Sequence, residues 1–261
     1  MALLSFSPEQ FKIFFLILIR VSIVFFLFPV FGGQMLPGLA KMGLALLLTF
    51  IFFPVVHVDP HLFPANPVQF LVLVVSELII GLALGLCVQL FFAGVQLAGQ
   101  MVGFQMGFAI INVLDPQTGT QVSIIDQIGY WVALLVFLSL NGHHMLISAL
   151  AESFRLVDIG MVSLKGGFFA RLFSISANLF VIAIKIGSPA IAALLFTSAA
   201  FGISAKFAPQ MNILIAAFPV KIIVGLIFFG LSIHIIAVMT RSFLASLHPL
   251  FLVFLSWMGG R

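Results

Sequence analysis

Four ionisable side chains, Arg20, Glu77, Lys185 and Lys221, sit inside long apolar runs of this 261-residue chain. An ionisable group at membrane depth costs at least ~2.5 kcal/mol, so it faces a partner or a water-filled space. Two chemistries follow: a proton or ion path, or a pairing of Glu77 with one of the three cations. A proton relay needs several carboxylates or histidines at helical spacing. Only Glu77 reads as an embedded carboxylate, which favours pairing. Constellations for enzymatic chemistry are missing. His57 and His61 are four apart, but Asp59 and Pro60 lie between them in a Pro-rich loop, and His143-His144 lacks a third ligand. Ser188 follows Gly187 without the Gly-x-Ser-Gly setting of an intramembrane protease, and no phosphate-cradling Gly-x-x-x-x-Gly-Lys occurs. The single cysteine, Cys87, cannot form an internal disulfide. The expectation is a protein without catalytic residues, metal or cofactor.

The glycines carry a different message. Gly81 and Gly85 are four apart, and Gly99, Gly103 and Gly107 repeat that spacing. Four residues is about one turn, so these glycines, with Gly94 and Ala98 nearby, form a smooth strip that another helix can approach closely. Packing is the simpler reading and a hinge the other, since glycine also weakens a helix. The segment Gln100 to Pro116 follows, apolar, rich in Gly, Met and Phe, and ending in a turn signal. It suits a helix end, or a pliable piece that closes an opening by apolar contact, because Met adapts to a surface that must reseal. Composition alone favours the helix end.

The elements that must position these residues are membrane helices. The chain is 63% hydrophobic and 7% charged, against roughly half apolar and about a quarter charged in soluble domains. That excludes a soluble enzyme and a disordered chain. The net charge of +4 comes from 11 Lys and Arg against 7 Asp and Glu; the cations are scattered singly and make no nucleic-acid patch. Six long candidates lie between Gly, Pro and charged punctuation: Phe11–Phe31, Leu39–Val56, Val68 to about Ile111, about Ile124–Leu150, about Leu172–Phe201 and about Ile213–Thr240. A last apolar piece, Phe243–Trp257, is short for a span and is broken by Pro249. The first run, interrupted by Arg20 and followed by Gly32-Gly33-Gln34-Met35, reads as a membrane helix and not as a removable signal.

Length is the informative property. At about 1.5 Å per residue the third stretch would be roughly twice the ~30 Å hydrocarbon thickness, more than tilt absorbs. Pro189 and Pro219 are placed to kink the fifth and sixth stretches. Broken backbone is tolerated in lipid only under cover of protein or a water-filled cavity. The predicted fold is therefore all-α, an integral membrane protein of about six long, Gly/Pro-kinked helices arranged as bent hairpins inside an oligomer. With six spans, Lys12, Arg155, Lys165, Arg171, Arg241 and Arg261 collect on one side and Lys41 and Lys206 on the other, which puts both termini in the cytoplasm by the positive-inside rule.

An ordered set of short motifs now carries a resemblance. It comprises Arg20, Pro29-Val-Phe-Gly32 with Pro37 and Lys41, Glu77-Leu-Ile-Ile-Gly81 with Gly85, and Gly99-Gln100-x-x-Gly103-x-Gln105-x-Gly107 with Asp115-Pro116. Asn141-Gly142-His143, Ser153-Phe154, Ile159-Gly160, Ala208-Pro209-Gln210-Met211-Asn212 and Phe218-Pro219 complete it. Each motif is weak alone, but the ordered set spans the chain from the first helix to about residue 245. The chain resembles the R component of the flagellar type III secretion export gate, the FliR family, which is related to its injectisome counterpart.

The resemblance implies one R chain per complex, joined to several P and several Q subunits in a hetero-oligomeric helical ring through which unfolded flagellar proteins cross the bacterial inner membrane. It implies a single domain over 1–261, P-like over about 1–165 and Q-like over about 166–245, with a tail at 246–261. It also implies a multi-pass location in the flagellar basal body, lipid contact, and contact with a switch protein (the B component) and other export apparatus. By motif, Met106 to Pro116 would be a pore plug, with Phe108, Ile110, Ile111 and Val113 sealing and Asn112, Leu114 and Asp115 within it. This replaces the helix-end reading. The turn holding Lys206, Ala208, Pro209, Gln210 and Asn212 would be the switch-protein contact loop on the cytoplasmic side, opposite to the side the charge count gives. The alternatives are the equivalent subunit of a virulence injectisome and a small-solute transporter or channel.

Overall fold

A computed structural model describes residues 7–32, 36–56, 66–108, 124–162, 167–207, 210 and 213–259, the side chains of 213 and 214 excepted. All regular elements among the described residues are helices: α1 (Pro8–Leu27), α2 (Pro29–Gly32), α3 (Gly38–Phe52), α4 (Pro67–Met106), α5 (Ile124–Ser139), α6 (Gly142–Leu156), α7 (Gly167–Phe207) and α8 (Ile213–Met258). Local chemistry sets their ends. Ser7 accepts from the Gln10 amide, Gln10 accepts from the Ser7 amide, and Pro8 occupies the first helical position, where its missing N–H costs nothing. Phe28, ahead of Pro29, is driven into extended backbone (ψ 134°) and ends α1. The side chain of Asn66 accepts from the Val68 amide at the head of α4.

Six stretches of apolar sequence do not become six spans. Among the described residues α1, α4, α7 and α8 are long and apolar enough to cross a membrane, and the count is five if the α5–α6 pair is one broken span. The stretch Leu39–Val56 yields only the 15 residues of α3, short of the ~20 a crossing needs. The stretch Ile124–Leu150 bends by 70° between α5 and α6. Asn141 makes the corner in left-handed backbone (φ 57°), which its short polar side chain tolerates. Conversely, Ile213–Thr240 and Phe243–Trp257 are one helix of 46 residues that passes Pro249 without a break. In apolar surroundings backbone groups have no water to turn to, so a helix that loses one bond at proline still outcompetes a broken one. With this number of spans the six-span charge count no longer fixes an orientation.

Pro189 shows how such a site is repaired. Its ring removes the N–H that the Lys185 carbonyl would accept, and the neighbouring Ser188 hydroxyl donates to that carbonyl at 3.1 Å. Other hydroxyls in apolar helices use the same economy: Thr49, Ser76, Thr197, Ser198, Ser204, Ser232 and Thr240 each donate to the carbonyl four residues earlier.

The chain forms two compact units. The first is Met1–Gln89, Asn141–Ile175 and Leu244–Arg261; the second is Leu90–Leu140 and Ser176–Phe243. Leu16, Ile17, Val21, Ile80, Leu84, Leu146, Leu150 and Phe254 are buried in the first. Phe91, Phe92, Val95, Ala98, Phe137, Ile186, Leu194 and Ile236 are buried in the second, where the rings of Phe91 and Phe243 stack at 4.2 Å and Phe92 meets Tyr130 and Phe137 edge-on. Half of the apolar window of α4 is buried, against 28% for α7 and 22% for α8. The last two helices therefore turn most of their apolar surface outward, as with Phe196 and Phe207.

Candidate functional site

In the first unit the embedded charges Arg20 and Glu77 meet. Arg20 Nε donates to Glu77 Oε2 at 2.5 Å and Nη2 donates to Oε1 at 3.0 Å, with both side chains fully buried. The two parallel bonds are the fork geometry in which a guanidinium binds a carboxylate most strongly. The other donors are also used: Nη1 reaches the Ser153 carbonyl and hydroxyl at 3.0 and 3.3 Å, and Nη1 and Nη2 both reach the Val157 carbonyl at 3.3 Å. Glu77 Oε1 further accepts from the Gly160 amide at 2.9 Å, and the guanidinium lies 4.4 Å from the centre of the Phe154 ring. Three stretches of sequence, around Arg20, around Glu77 and from Ser153 to Gly160, thus close on one ion pair.

Glycine makes the pairing possible. A Cβ at Gly81, one turn beyond Glu77, would lie 3.0 Å from Ile23 Cβ and 3.3 Å from the Arg20 carbonyl; one at Gly85 would lie 2.5 Å from Leu27 Cβ. Without side chains there, α1 comes close enough for Arg20 to reach across. The Gly160 amide is presented by a backbone with φ +78°, a conformation natural to glycine, against Leu73.

In the second unit the later glycines of α4 face other partners. Gly94 packs on α7 at Leu179 and Ile182, and Gly99 on the backbone of Asp126 in α5, whose N would be 2.6 Å from a Cβ. Gly103 is buried. Gly107 (φ +94°) ends α4: its amide donates to the Phe104 carbonyl at 3.0 Å, and the Phe108 amide returns to Gly103 at 3.1 Å. At this end Met106 is fully buried against Gly225 of α8, and the ring of Phe218 lies over Gly107. Met106 is thus held in a fixed socket, and Phe108 is half-buried beside it. Ile110, Ile111, Asn112, Val113, Leu114, Asp115 and Pro116 lie outside the described residues.

The remaining expected site residues stay apart. Lys185 is exposed and Lys221 half-buried, neither in an ion pair among the described residues. Lys206 and Gln210 are exposed, while Ala208, Pro209 and Asn212 lie outside the described residues. Sequence reasoning missed Asp126, a second buried carboxylate, 4% exposed, with Gln100 Nε2 donating to its Oδ2 at 3.2 Å. Glu77 is therefore not the one embedded acid. Asp126 stands just inside the start of an apolar run, where an acid reads as helix-end punctuation, and nothing local distinguishes a buried first turn from an exposed one.

Comparison with known proteins places the chain in context. The profile of the bacterial export proteins, family 1, matches residues 11–247. The flagellar biosynthetic protein FliR of Bacillus subtilis is 36% identical over 237 residues, 90% of this chain and 91% of that protein. FliR of Escherichia coli is 32% identical over 220 residues, 82% of each. The Yop proteins translocation protein T of Yersinia pestis is 26% identical over 214 residues, 79% of this chain and 80% of that protein.

Proposed function

The chain belongs to family 1 of the bacterial export proteins, and on that premise we propose that it is the R subunit of a flagellar export gate, one copy joined to P and Q subunits around a path for unfolded flagellar proteins. It is a multi-pass inner-membrane protein of the flagellar export apparatus, with no enzymatic role. Identities of 36% and 32% to flagellar relatives against 26% to the Yop translocation protein favour the flagellar system over an injectisome.

The observation that carries the gate reading is the mismatch between helix length and membrane thickness. Helices α4, α7 and α8 have 40, 41 and 46 residues, roughly 60–70 Å of helix against ~30 Å of hydrocarbon. Large side chains stand outward along α7 and α8, from Phe173 to Phe207 and from Ile215 to Val253. Lipid cannot cover that length, so neighbouring subunits must. A small-solute carrier would in addition need a polar substrate cluster, and the pairing of Arg20 with Glu77 leaves neither of those charges available for one.

Native mass spectrometry of the tagged chain, co-expressed with its genomic neighbours, tests the assembly. One copy bound to several copies of two smaller membrane proteins is the expected result; a homo-oligomer would return the transporter reading. The plug within this reading is residues 106–116, anchored at Met106 and Gly107. An apolar constriction holds back ions by dewetting, and each charge is driven by ~2.3 kcal/mol per 100 mV. Replacing Phe108, Ile110 and Ile111 with serine is expected to leave assembly intact and raise resting ion conductance; unchanged conductance removes the plug.

A further inference from the structure

We propose that Asp126 is a proton-binding site, its carboxyl holding one proton while α5 is seated against Gly99 and Gln100 and losing it when that seat opens. The seat is built for close approach. Asp126 is 4% exposed, and its backbone lies where any side chain at position 99 would have to be. Oδ2 accepts from Gln100 Nε2 at 3.2 Å, the Gln127 amide faces the carboxyl, and Oδ1 has no hydrogen-bond partner among the described residues. Cations do not compensate it, since no ion pair to Asp126 forms among the described residues. The neighbouring elements supply few candidates. Within this unit α4 carries no charged residue; α7 contributes Lys185 and Lys206, and α8 contributes His234 and Arg241, all exposed, with Lys221 half-buried. On α5 itself Tyr130 lies one turn on, its ring against Phe92.

Glu77 shows what a buried ionised carboxylate requires: a guanidinium on both oxygens and a further amide. Asp126 has neither. Burial without a counter-charge penalises an ionised carboxylate far more than a neutral carboxyl, even one whose hydroxyl lacks an acceptor. The seated arrangement therefore selects the protonated form. A ligand that binds one arrangement better than another shifts the balance between them, and the coupling is reciprocal. Proton occupancy at Asp126 holds α5 on α4, and alkaline conditions loosen that contact. This holds whatever complex the chain belongs to.

The test uses the full chain in its membrane-extracted complex, treated with dicyclohexylcarbodiimide over a pH series and mapped by peptide mass spectrometry. The reagent adds to a carboxyl that carries a proton in apolar surroundings: the oxygen bonds to the carbodiimide carbon and the proton passes to nitrogen, so the whole reagent is retained. Expected is label on Asp126, falling about tenfold per pH unit beyond the midpoint, and none on Glu77. A second readout is the thermal midpoint of the complex. Asp126→Asn, a neutral isostere, is expected to abolish the label and to remove the loss of midpoint that the unsubstituted protein shows as pH rises. An Asp126 that stays unlabelled, with Asp126→Asn lowering the midpoint equally at every pH, overturns the proposal in favour of an ionised structural acid. Labelling blocked by sodium but insensitive to pH overturns it in favour of a metal-cation site.

Discussion

Two buried carboxylates, one in each compact unit, receive opposite treatment. Glu77 is clamped between α1, α6 and the turn after α6 by a guanidinium whose donors all find acceptors. Asp126 is pressed against a glycine with one neutral side-chain donor and one oxygen unmatched among the described residues. Buried polar networks rigidify when fully satisfied, and an unmatched buried polar atom is costly. The first unit thus has the character of a fixed frame. The second, which also holds the socket for Met106 and the end of α4, contains the contact that a change in protonation can loosen.

The largest effect is expected from breaking the clamp. Glu77→Ala leaves Arg20 buried and unpaired, a loss of about 3–5 kcal/mol, read as failure of the chain to accumulate or as a large drop in thermal midpoint. Replacing both members, Arg20→Met with Glu77→Leu, is expected to recover part of it. Recovery is incomplete because the Val157 carbonyl and Gly160 amide lose their partners. If the double variant is no better than the single one, Arg20 and Glu77 do not act as a pair.

Next come the glycines, which grade the closeness of the two contacts. Gly99→Ala would push a methyl into the backbone of Asp126, which cannot swing aside, and should cost about 1–3 kcal/mol. Gly81→Ala meets mainly the Ile23 side chain at 3.0 Å, and its gain of up to about 1 kcal/mol in helix propensity offsets much of the crowding. Thermal midpoints should therefore fall clearly for Gly99→Ala and little for Gly81→Ala; the reverse order would contradict the tighter seat at Asp126. Gly202→Ala, on the outward part of α7 with nothing within 4 Å, should be the smallest and of opposite sign, about 0.5–1 kcal/mol stabilising for the chain alone. A loss seen only in the assembled complex would place a neighbouring subunit against that stretch.

Much of the candidate site was legible because its chemistry is local. The four-residue glycine spacing of α4 marks strips of close approach, and the lone charges Arg20 and Glu77 inside apolar runs mark a pairing, since each signal is carried by a few neighbouring residues. Other readings failed where a local signal met its surroundings: Ile124–Leu150 reads as one span, yet it bends by 70° at Asn141. Pro249 reads as a stop, yet α8 passes it, because a continuous helix still satisfies more backbone groups than a break would. Asp126 reads as punctuation, yet it is buried, because burial depends on what packs over the first turn of α5 and not on the turn itself.

The sequence by itself determined that this is an all-helical membrane protein whose helices outrun the membrane, since hydropathy and length are summed along the chain and need no partner. Which cation would meet Glu77 was left open among Arg20, Lys185 and Lys221, and only the tertiary structure decided it. Residues 20 and 77 come within hydrogen-bond distance because Gly81 and Gly85 let two helices touch, and the turn at Val157 and Gly160 folds back to complete the clamp. Such a match is fixed by how surfaces fit across the whole unit, a property that no local stretch of sequence contains.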